Sequence, residues 1–495
     1  MLSELLLTEM QRLGAQTRLP LHRQLYEALR RAMLDGKLAA DERLPSSRDL
    51  VHDLQLSRNT VVAALNQLAV EGYLVCRVGS GTFVSPNVPQ RARAATRAPH
   101  PASDRLSQRG QALSTRFCAS ELEVQPFTPG IADFSAFPLA LWQRLQNKHW
   151  RMTYPDMLDY SSAGGYAPLR RAVADYLRVS RSVPLEVDQV LITSGTQESL
   201  GLCAQLLADP GHTVWLEDPA YWGAAKAFTA TGLAIHPIPV DEHGMAPRAK
   251  DHDIPARLIY VTPSHQYPTG AVMSLERRHQ LLLLARQHRA WILEDDYDSE
   301  FRFSGPPVAS LAGLDDSCDR VLYLGSFSKV LYPGLKLGYM VVPKGLIAAF
   351  KRVHYDLNRP GQIPVQAALA EFIEMGHFAS SLRKSRQSYA QRRQALLTAL
   401  QPCLGERAHI SGAEQGLHLC LRLPDTVDDV ALAAQLARQQ LTVRPLSAYC
   451  LKRRDLRGLV IGYGYAPLAE IERFGPVLAK ALASELAGFA RGAAA

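Results

Sequence analysis

Between Val190 and Val342 short apolar runs recur, separated by stretches with helical spacing. The runs are Val190–Thr193, Thr213–Leu216, Ala234–Pro237, Arg257–Val261, Trp291–Glu294, Val321–Leu324 and Leu337–Val342. This alternation predicts an α/β domain on a mostly parallel sheet. Such a sheet presents ligand-binding groups where its strands end, which directs attention to the residues just after each run. Beyond about Pro360 long helical stretches come first, then Leu417–Leu423 and Leu459–Tyr463, predicting a smaller α+β portion.

At 495 residues the chain exceeds one ordinary core, and two or three domains are expected. A hydrophobic content of 47% and a charged content of 21% fit a globular protein with a large interior. The net charge of +8 is unevenly spread: residues 1–120 hold 16 Lys+Arg against 10 Asp+Glu. That is where a nucleic-acid contact would use it, although an arginine-rich solvated linker explains part. Cys76, Cys118, Cys203, Cys318, Cys403, Cys420 and Cys450 are scattered and never form Cys-x-x-Cys. Neither a disulfide framework nor a metal site follows, and a reducing compartment is expected. No signal peptide or membrane-length apolar run is found, so no membrane partner is expected and the cytoplasm is the expected location.

The first unit is read at 15–86. Leu21, Leu25, Leu29 and Met33 repeat at helical spacing up to Asp35-Gly36. A second helix begins at Arg48 with Ser46 or Ser47 as cap; a third, Arg58 to Glu71, is capped by Leu56-Ser57 and stopped by Gly72. Val61, Leu65 and Leu68 face inward, leaving Arg58, Asn59 and Thr60 exposed on the first turn. Leu74–Arg77 and Thr82–Val84 form a hairpin around Gly79, Ser80 and Gly81. Three helices and a wing place polar groups to reach base edges, with Arg48 suited to a phosphate and the glycine wing able to approach the backbone. A helical domain with idle polar residues is the competing reading. Residues 87–120, rich in Pro, Ala, Arg and Ser (Pro89, Arg91, Arg93, Arg97, Pro99, Pro101), read as a flexible basic linker, and 121–490 as the second domain, with its small portion from about 360.

Lys329, in Ser326-Phe327-Ser328-Lys329 after an apolar strand, is placed to form a Schiff base. Asp295 closes Trp291–Glu294 and could hold a pyridine nitrogen protonated; Glu294 and Asp296 are rivals for that role. Tyr297 could donate to a ring phenolate, and Tyr221 could stack on the ring. Ser194-Gly195-Thr196 opens a helix after a strand and offers amides and hydroxyls to an anion. Each has a plainer reading as surface acid, core aromatic or helix cap.

Leu44-Pro45-Ser46-Ser47-Arg48-Asp49-Leu50, Ser57–Val61, Leu68–Leu74 and Gly79–Val84 resemble the GntR-type winged helix-turn-helix. The resemblance implies that Arg48, Arg58, Asn59 and Thr60, with the wing Gly79, Ser80 and Gly81, touch double-stranded operator DNA. From Phe127 to Leu486 the chain resembles the fold-type I aminotransferases of class I/II, a pyridoxal 5'-phosphate-dependent transferase fold. The matching stretches are Asp159-Tyr160, Gly164–Tyr166, Ser194–Gln197, Asp218–Tyr221, Pro263–Gly270, Glu294–Tyr297 and Ser326–Lys329. It implies that Lys329 carries the cofactor, Asp295 pairs with the ring nitrogen, Tyr297 meets the phenolate oxygen and Tyr221 stacks. Ser194, Gly195, Thr196 and Ser326 would hold the phosphate, with Tyr160 reaching the neighbouring subunit's phosphate in a dimer.

Three positions depart from that pattern. Tyr267 stands where an asparagine is usual, and Lys336 where a phosphate-binding arginine is usual, keeping charge but losing the bidentate fork. The substrate-carboxylate arginine aligns at Val460, with Arg444 as a possible substitute ahead of Arg454 and Arg457. A GntR-type head joined to an aminotransferase-like body resembles the MocR subfamily of bacterial transcription regulators. That implies a head-to-tail homodimer whose body senses an amine, an amino acid or the cofactor itself and so modulates operator binding, with little or no physiological transamination. The alternative is a working aminotransferase with an accessory DNA-binding domain.

Overall fold

The computed structural model describes residues 2–16, 19–77, 79–88, 106–115, 124–133, 135, 137–152, 155–160, 164–305, 309–315, 319–404 and 408–492. Cys118, Cys318 and the linker positions Pro89, Arg91, Arg93, Arg97, Pro99 and Pro101 lie outside them. The chain divides into a unit at 1–105 and a unit at 106–495.

The first unit begins earlier than the periodicity marks. Helix α1 (Leu2–Gln16) buries Leu6, Met10 and Leu13. Helix α2 (Leu21–Leu34) buries Leu25, Ala28, Leu29, Ala32 and Met33. Leu21, expected on that face, is 52% exposed, because it opens the helix beyond the packed turns. Helix α3 (Ser47–Leu54) starts one residue earlier than expected, with Ser46 as its cap in a reciprocal box with Asp49 (3.2 and 3.1 Å). Ser57 caps helix α4 (Arg58–Val70), its hydroxyl accepting the Thr60 amide at 3.2 Å. Val61, Ala64 and Leu68 line the buried face of α4, while Leu65 is only half-buried. Strands β1 (Leu74–Arg77) and β2 (Gly81–Val84) pair antiparallel from Leu74↔Val84 to Arg77↔Gly81. Gly79 and Gly81 carry φ of +77° and +113° at the tip, values that favour glycine.

In the second unit, helix α5 (Gln108–Thr115) lies inside the stretch read as linker and packs on the helix 222–230 described below. Helices α6 (Leu139–Arg151) and α7 (Ala167–Ser180) precede the sheet. Its strands are β3 (Val190–Thr193), β4 (Thr213–Asp218), β5 (Ala234–Asp241), β6 (Gly244–Met245), β7 (Leu258–Val261), β8 (Trp291–Asp296), β9 (Val321–Ser326) and β10 (Gly338–Val341). The spatial order is β3-β10-β9-β8-β7-β4-β5-β6. From β9 to β5 the pairing is parallel, while β10 runs antiparallel to both β3 and β9. Helices α8 (Thr196–Leu207), α9 (Trp222–Ala230) and α10 (Leu275–His288) connect strands, and α11 (Leu311–Leu314) follows β8.

A second sheet, ordered β11-β12-β14-β13, comprises β11 (His409–Ser411), β12 (His418–Leu423), β13 (Arg444–Pro445) and β14 (Arg457–Gly462). Around it and along the chain between the sheets lie α12 (Ile347–Val353), α13 (Ile363–Glu374), α14 (His377–Leu400), α15 (Asp429–Ala437) and α16 (Leu468–Gly492). Among the described residues no helix is long and apolar enough to cross a membrane.

Candidate cofactor site and nucleic-acid interface

Because β4, β7, β8 and β9 are parallel, their carboxyl ends share one edge. Asp218, Asp295, Asp296 and Ser326 therefore come together although more than a hundred residues separate the first from the last. At the same edge Gly338 faces both Thr193 and Ser326 across its two neighbours. A Cβ on Gly338 would lie 2.8 Å from the Gly195 Cα, so glycine here lets the Ser194–Thr196 turn settle against the sheet. Gly195 has φ +120°, and Thr196 opens α8, whose first turn has no side-chain cap.

The three neighbouring acids divide by partner. Glu294 accepts the amides of Leu311 and Ala312 at 2.8 and 2.9 Å and so caps α11. Asp296 is held by Arg181 at 2.7 Å and by the Tyr323 hydroxyl at 2.5 Å. Asp295 accepts only the Tyr260 hydroxyl, at 2.7 Å, and its other oxygen is buried without a partner. Burial pushes its carboxyl up to about 7, against the Tyr260 bond, with Asp296 and Asp298 adding to the rise. Asp296 also keeps one oxygen without a hydrogen bond, but Arg181 matches its charge, whereas Asp295 has no ion-pair partner among the described residues and is the acid that a ligand's cationic N–H would complete.

The Lys329 amine donates to the Gly130 carbonyl, a partner almost two hundred residues away in sequence. Burial holds that amine below the ordinary lysine range, while Asp298 and Asp295 draw it back up. Gly130 has φ +77°, which favours glycine, and an added Cβ there would make only an ordinary contact with the Lys329 Nζ at 3.6 Å. The Tyr297 hydroxyl lies 3.1 Å from His265 Nδ1, which also meets Asp298 at 2.9 Å. Burial, then Asp298, keep the Tyr297 phenol well above its usual range, so it remains a donor. Tyr221 caps α9, and burial raises its phenol to about 12. Its ring meets Tyr267 edge-on at 5.9 Å.

Other expected positions are placed less simply. Ser194 gives its hydroxyl to Glu198, which is itself paired with buried His354 at 2.8 Å. Ser326 Oγ accepts the Ser328 amide at 3.1 Å. Lys336 is exposed with φ +53°. Tyr160 is 52% exposed beneath the Arg359 guanidinium, 5.5 Å from the ring centroid. Tyr267 bonds the Tyr449 hydroxyl at 3.0 Å, tying the cofactor edge to the second sheet. Val460 is buried in β14, and Arg444 is its register partner on β13. The Arg444 guanidinium sits 4.9 Å over Trp222, the residue after Tyr221.

The sequence reading missed Gly130, Arg181, Tyr260, the Glu198–His354 pair and the His265–Asp298 pair. Tyr260 looked like strand core, and nothing local marks a carbonyl at Gly130. The absence of a metal site was inferred from cysteine spacing alone; ligand atoms of His265, Asp298 and His418 lie within 4.8 Å of one another. The hydrogen bond between His265 and Asp298 accounts for two of those groups without an ion.

On the head, Arg58 and Asn59 stand exposed on the first turn of α4, and Arg48 on α3. Thr60 is half-buried, its hydroxyl 2.8 Å from Ser57 Oγ and so engaged in the cap. A Cβ on Gly81 would press the Arg43 side chain at 3.1 Å, while Gly79 is open.

Residues 21–84 match the family of bacterial regulatory proteins of the gntR type, and 141–458 match aminotransferase class I and II. Among curated proteins the chain is 38% identical to the probable rhizopine catabolism regulatory protein MocR of Rhizobium meliloti, across 95% of each chain. It is 32% identical to the HTH-type pyridoxine biosynthesis transcriptional regulator PdxR of Corynebacterium glutamicum, covering 89% of this chain and 91% of that one. Among solved structures, α-aminoadipate aminotransferase LysN of Thermus thermophilus superposes with a TM-score of 0.71 at 26% identity, covering 78% of this chain and all of LysN. Kynurenine aminotransferase of Pyrococcus horikoshii gives 0.69 at 25% identity, covering 78% and 98%. A gntR-type head and a fold-type I body on one polypeptide, matched over about nine-tenths of the chain or more by named regulators, place this chain in the MocR subfamily of gntR-type transcriptional regulators.

Proposed function

We propose that the second unit binds pyridoxal 5'-phosphate at Lys329 and serves as the sensor for operator binding by the first. The observation that carries the reading is the buried, unpartnered oxygen of Asp295 beside a half-buried lysine. A lone acid at about 7 is costly unless a cation completes it, and a pyridinium N–H does so. The bound cofactor would supply an aldehyde for amines and an electron-withdrawing ring.

The chain's own groups do the rest. Lys329, whose amine burial holds below the ordinary lysine range, would be the residue that holds the cofactor through its aldehyde. Asp295 would hold the ring nitrogen protonated, and Tyr297, a phenol that stays protonated, would donate to the ring oxygen. Tyr221 covers one face, supported edge-on by Tyr267. The amides of Gly195 and Thr196 at the start of α8, with Ser326, receive the phosphate. Ser194 joins them only by releasing Glu198, and Lys336 reaches it only as an exposed, flexible cation. Tyr160 would meet the partner's phosphate in a homodimer.

For the head we propose that Arg58 and Asn59 read base edges in the major groove, Arg48 contacts a phosphate, and Gly79 to Gly81 bring the wing to the backbone. Thr60 acts chiefly as part of the cap. An amine effector, or the cofactor itself, shifts operator affinity, and by linkage DNA shifts effector affinity equally.

Arg444 is the candidate for an effector carboxylate, being the register neighbour of the position where an arginine is usual. Its seat on Trp222 leaves a transaminase reading weaker than a sensor reading.

The test is reconstitution with pyridoxal 5'-phosphate, borohydride reduction and peptide mapping, beside operator titration with and without amines. The reading requires one modified peptide, containing Lys329, and none in Lys329→Ala. Loading at other lysines, or operator affinity indifferent to cofactor and amines alike, would refute it. Sustained turnover of roughly 1–1,000 per second with an amino-acid and keto-acid pair would instead favour the enzyme.

A further inference from the structure

Asp295 and Asp296 point to opposite faces of β8, as neighbours in a strand must. On the Asp296 side lies a cavity of about 360 Å³, within the range that holds small ligands. Its lining includes Arg181, Arg302, Arg386, Glu300, Ser264 and Tyr176. It contains neither Lys329 nor Asp295, so it is separate from the cofactor site.

The charges around it do not balance. Arg181 is matched by Asp296 at 2.7 Å. Arg386 donates to the Glu300 backbone carbonyl, at 3.0 and 2.7 Å, and has no carboxylate within ion-pair distance among the described residues. Arg302 donates through Nη1 to the Gln415 amide oxygen at 2.9 Å, while its Nε is buried with no partner. The one remaining acid, Glu300, accepts the Tyr176 hydroxyl at 3.0 Å. Burial, then Asp296, push its carboxyl up from the ordinary range. Half-buried Arg302 and exposed Arg386 thus border a polar cavity with no ion-pair partner among the described residues, and a planar carboxylate is the group a guanidinium fork fits.

We propose that this cavity is a second small-molecule site, taking a compact organic anion with at least one carboxylate, held by Arg302 and Arg386. It goes beyond the sensor reading and does not depend on it. Two wall residues adjoin the cofactor edge: Ser264 precedes His265, and Arg181 grips Asp296, the neighbour of Asp295. Occupancy here therefore bears on the groups beside Lys329 without using that lysine.

The experiment uses the full chain, loaded with pyridoxal 5'-phosphate and reduced with borohydride so that Lys329 is blocked. Malonate and succinate are titrated calorimetrically at constant ionic strength. The expected result is one saturable site per chain for at least one of the two, weakened at least about tenfold in Arg302→Gln and in Arg386→Gln. Arg302→Lys and Arg386→Lys should retain part of the affinity. Because Lys329 is already blocked in this sample, saturable binding that depends on Arg302 and Arg386 separates this site from the proposed cofactor site. Should the glutamine variants fold poorly, phenylglyoxal labelling of wild-type Arg302 and Arg386 must slow when malonate or succinate is present. No saturable binding of either probe, affinities unchanged in both glutamine variants, or labelling indifferent to both probes overturns the proposal.

Discussion

Replacing Asp295 by asparagine tests the central claim about the site. In cofactor-free protein the carboxyl is buried and stands at about 7 in place of its ordinary 3.8. Its folded pKa is raised, so the folded state holds the proton more tightly than the unfolded state. Stability is therefore fullest below the unfolded value and falls as pH rises through the window from 3.8 to about 7. Each pH unit in that window costs about 1.4 kcal/mol, so holding this carboxylate ionised at pH 8 costs ~4 kcal/mol. At pH 5.5 the corresponding cost is ~2 kcal/mol. Asparagine keeps an oxygen for the Tyr260 hydroxyl but leaves a buried amide unpaired, a penalty of about 1–3 kcal/mol at either pH. Asp295→Asn should thus stabilise the cofactor-free body more at pH 8 than at pH 5.5, by about 2 kcal/mol. Urea unfolding followed by tryptophan fluorescence measures it cleanly, because all five tryptophans lie in the second unit. The loaded protein should show the reverse order, since asparagine cannot compensate a pyridinium. A change in stability that is equal at the two pH values would refute the burial argument.

Four other outcomes are expected. Asp296→Asn removes the partner of Arg181 inside the body and should destabilise it by about 3–5 kcal/mol, read by the same unfolding assay. Ser57→Ala removes the hydroxyl that caps α4 and should cost the head about 1 kcal/mol in thermal denaturation followed by circular dichroism. Arg58→Ala should weaken binding to the cognate operator by about 1–3 kcal/mol and relax discrimination at one base position. Arg48→Ala should weaken all sequences alike and flatten the salt dependence, both read by electrophoretic shift across a salt series.

Much of the secondary structure was legible because it is governed by local pattern. The strand runs read from Val190 to Val342 coincide with the sheet strands to within a few residues, and β12 and β14 fall where Leu417–Leu423 and Leu459–Tyr463 were expected. The caps of α3 and α4 were readable because a serine three residues ahead of its amide partner is a short-range signal. Helix α1 escaped notice because its apolar residues carry no start signal, and α5 because its composition is that of a linker. The antiparallel seat of β10 between β3 and β9 was not readable either, since strand direction is set by partners far along the chain.

Sequence alone determined which side chains could do chemistry: an amine at residue 329, acids at 294 to 296, hydroxyls at 194, 196 and 326, and arginines on a helix-turn-helix. Only the folded body decided among them. Glu294 is consumed by the amides of α11 and Asp296 is ion-paired with Arg181, so the acid left without a cation is Asp295. Ser194 is engaged by Glu198, and Lys329 rests on a carbonyl at Gly130. Local pattern follows from spacing along the backbone, whereas hydrogen-bond saturation and desolvation depend on groups that meet only when distant segments pack.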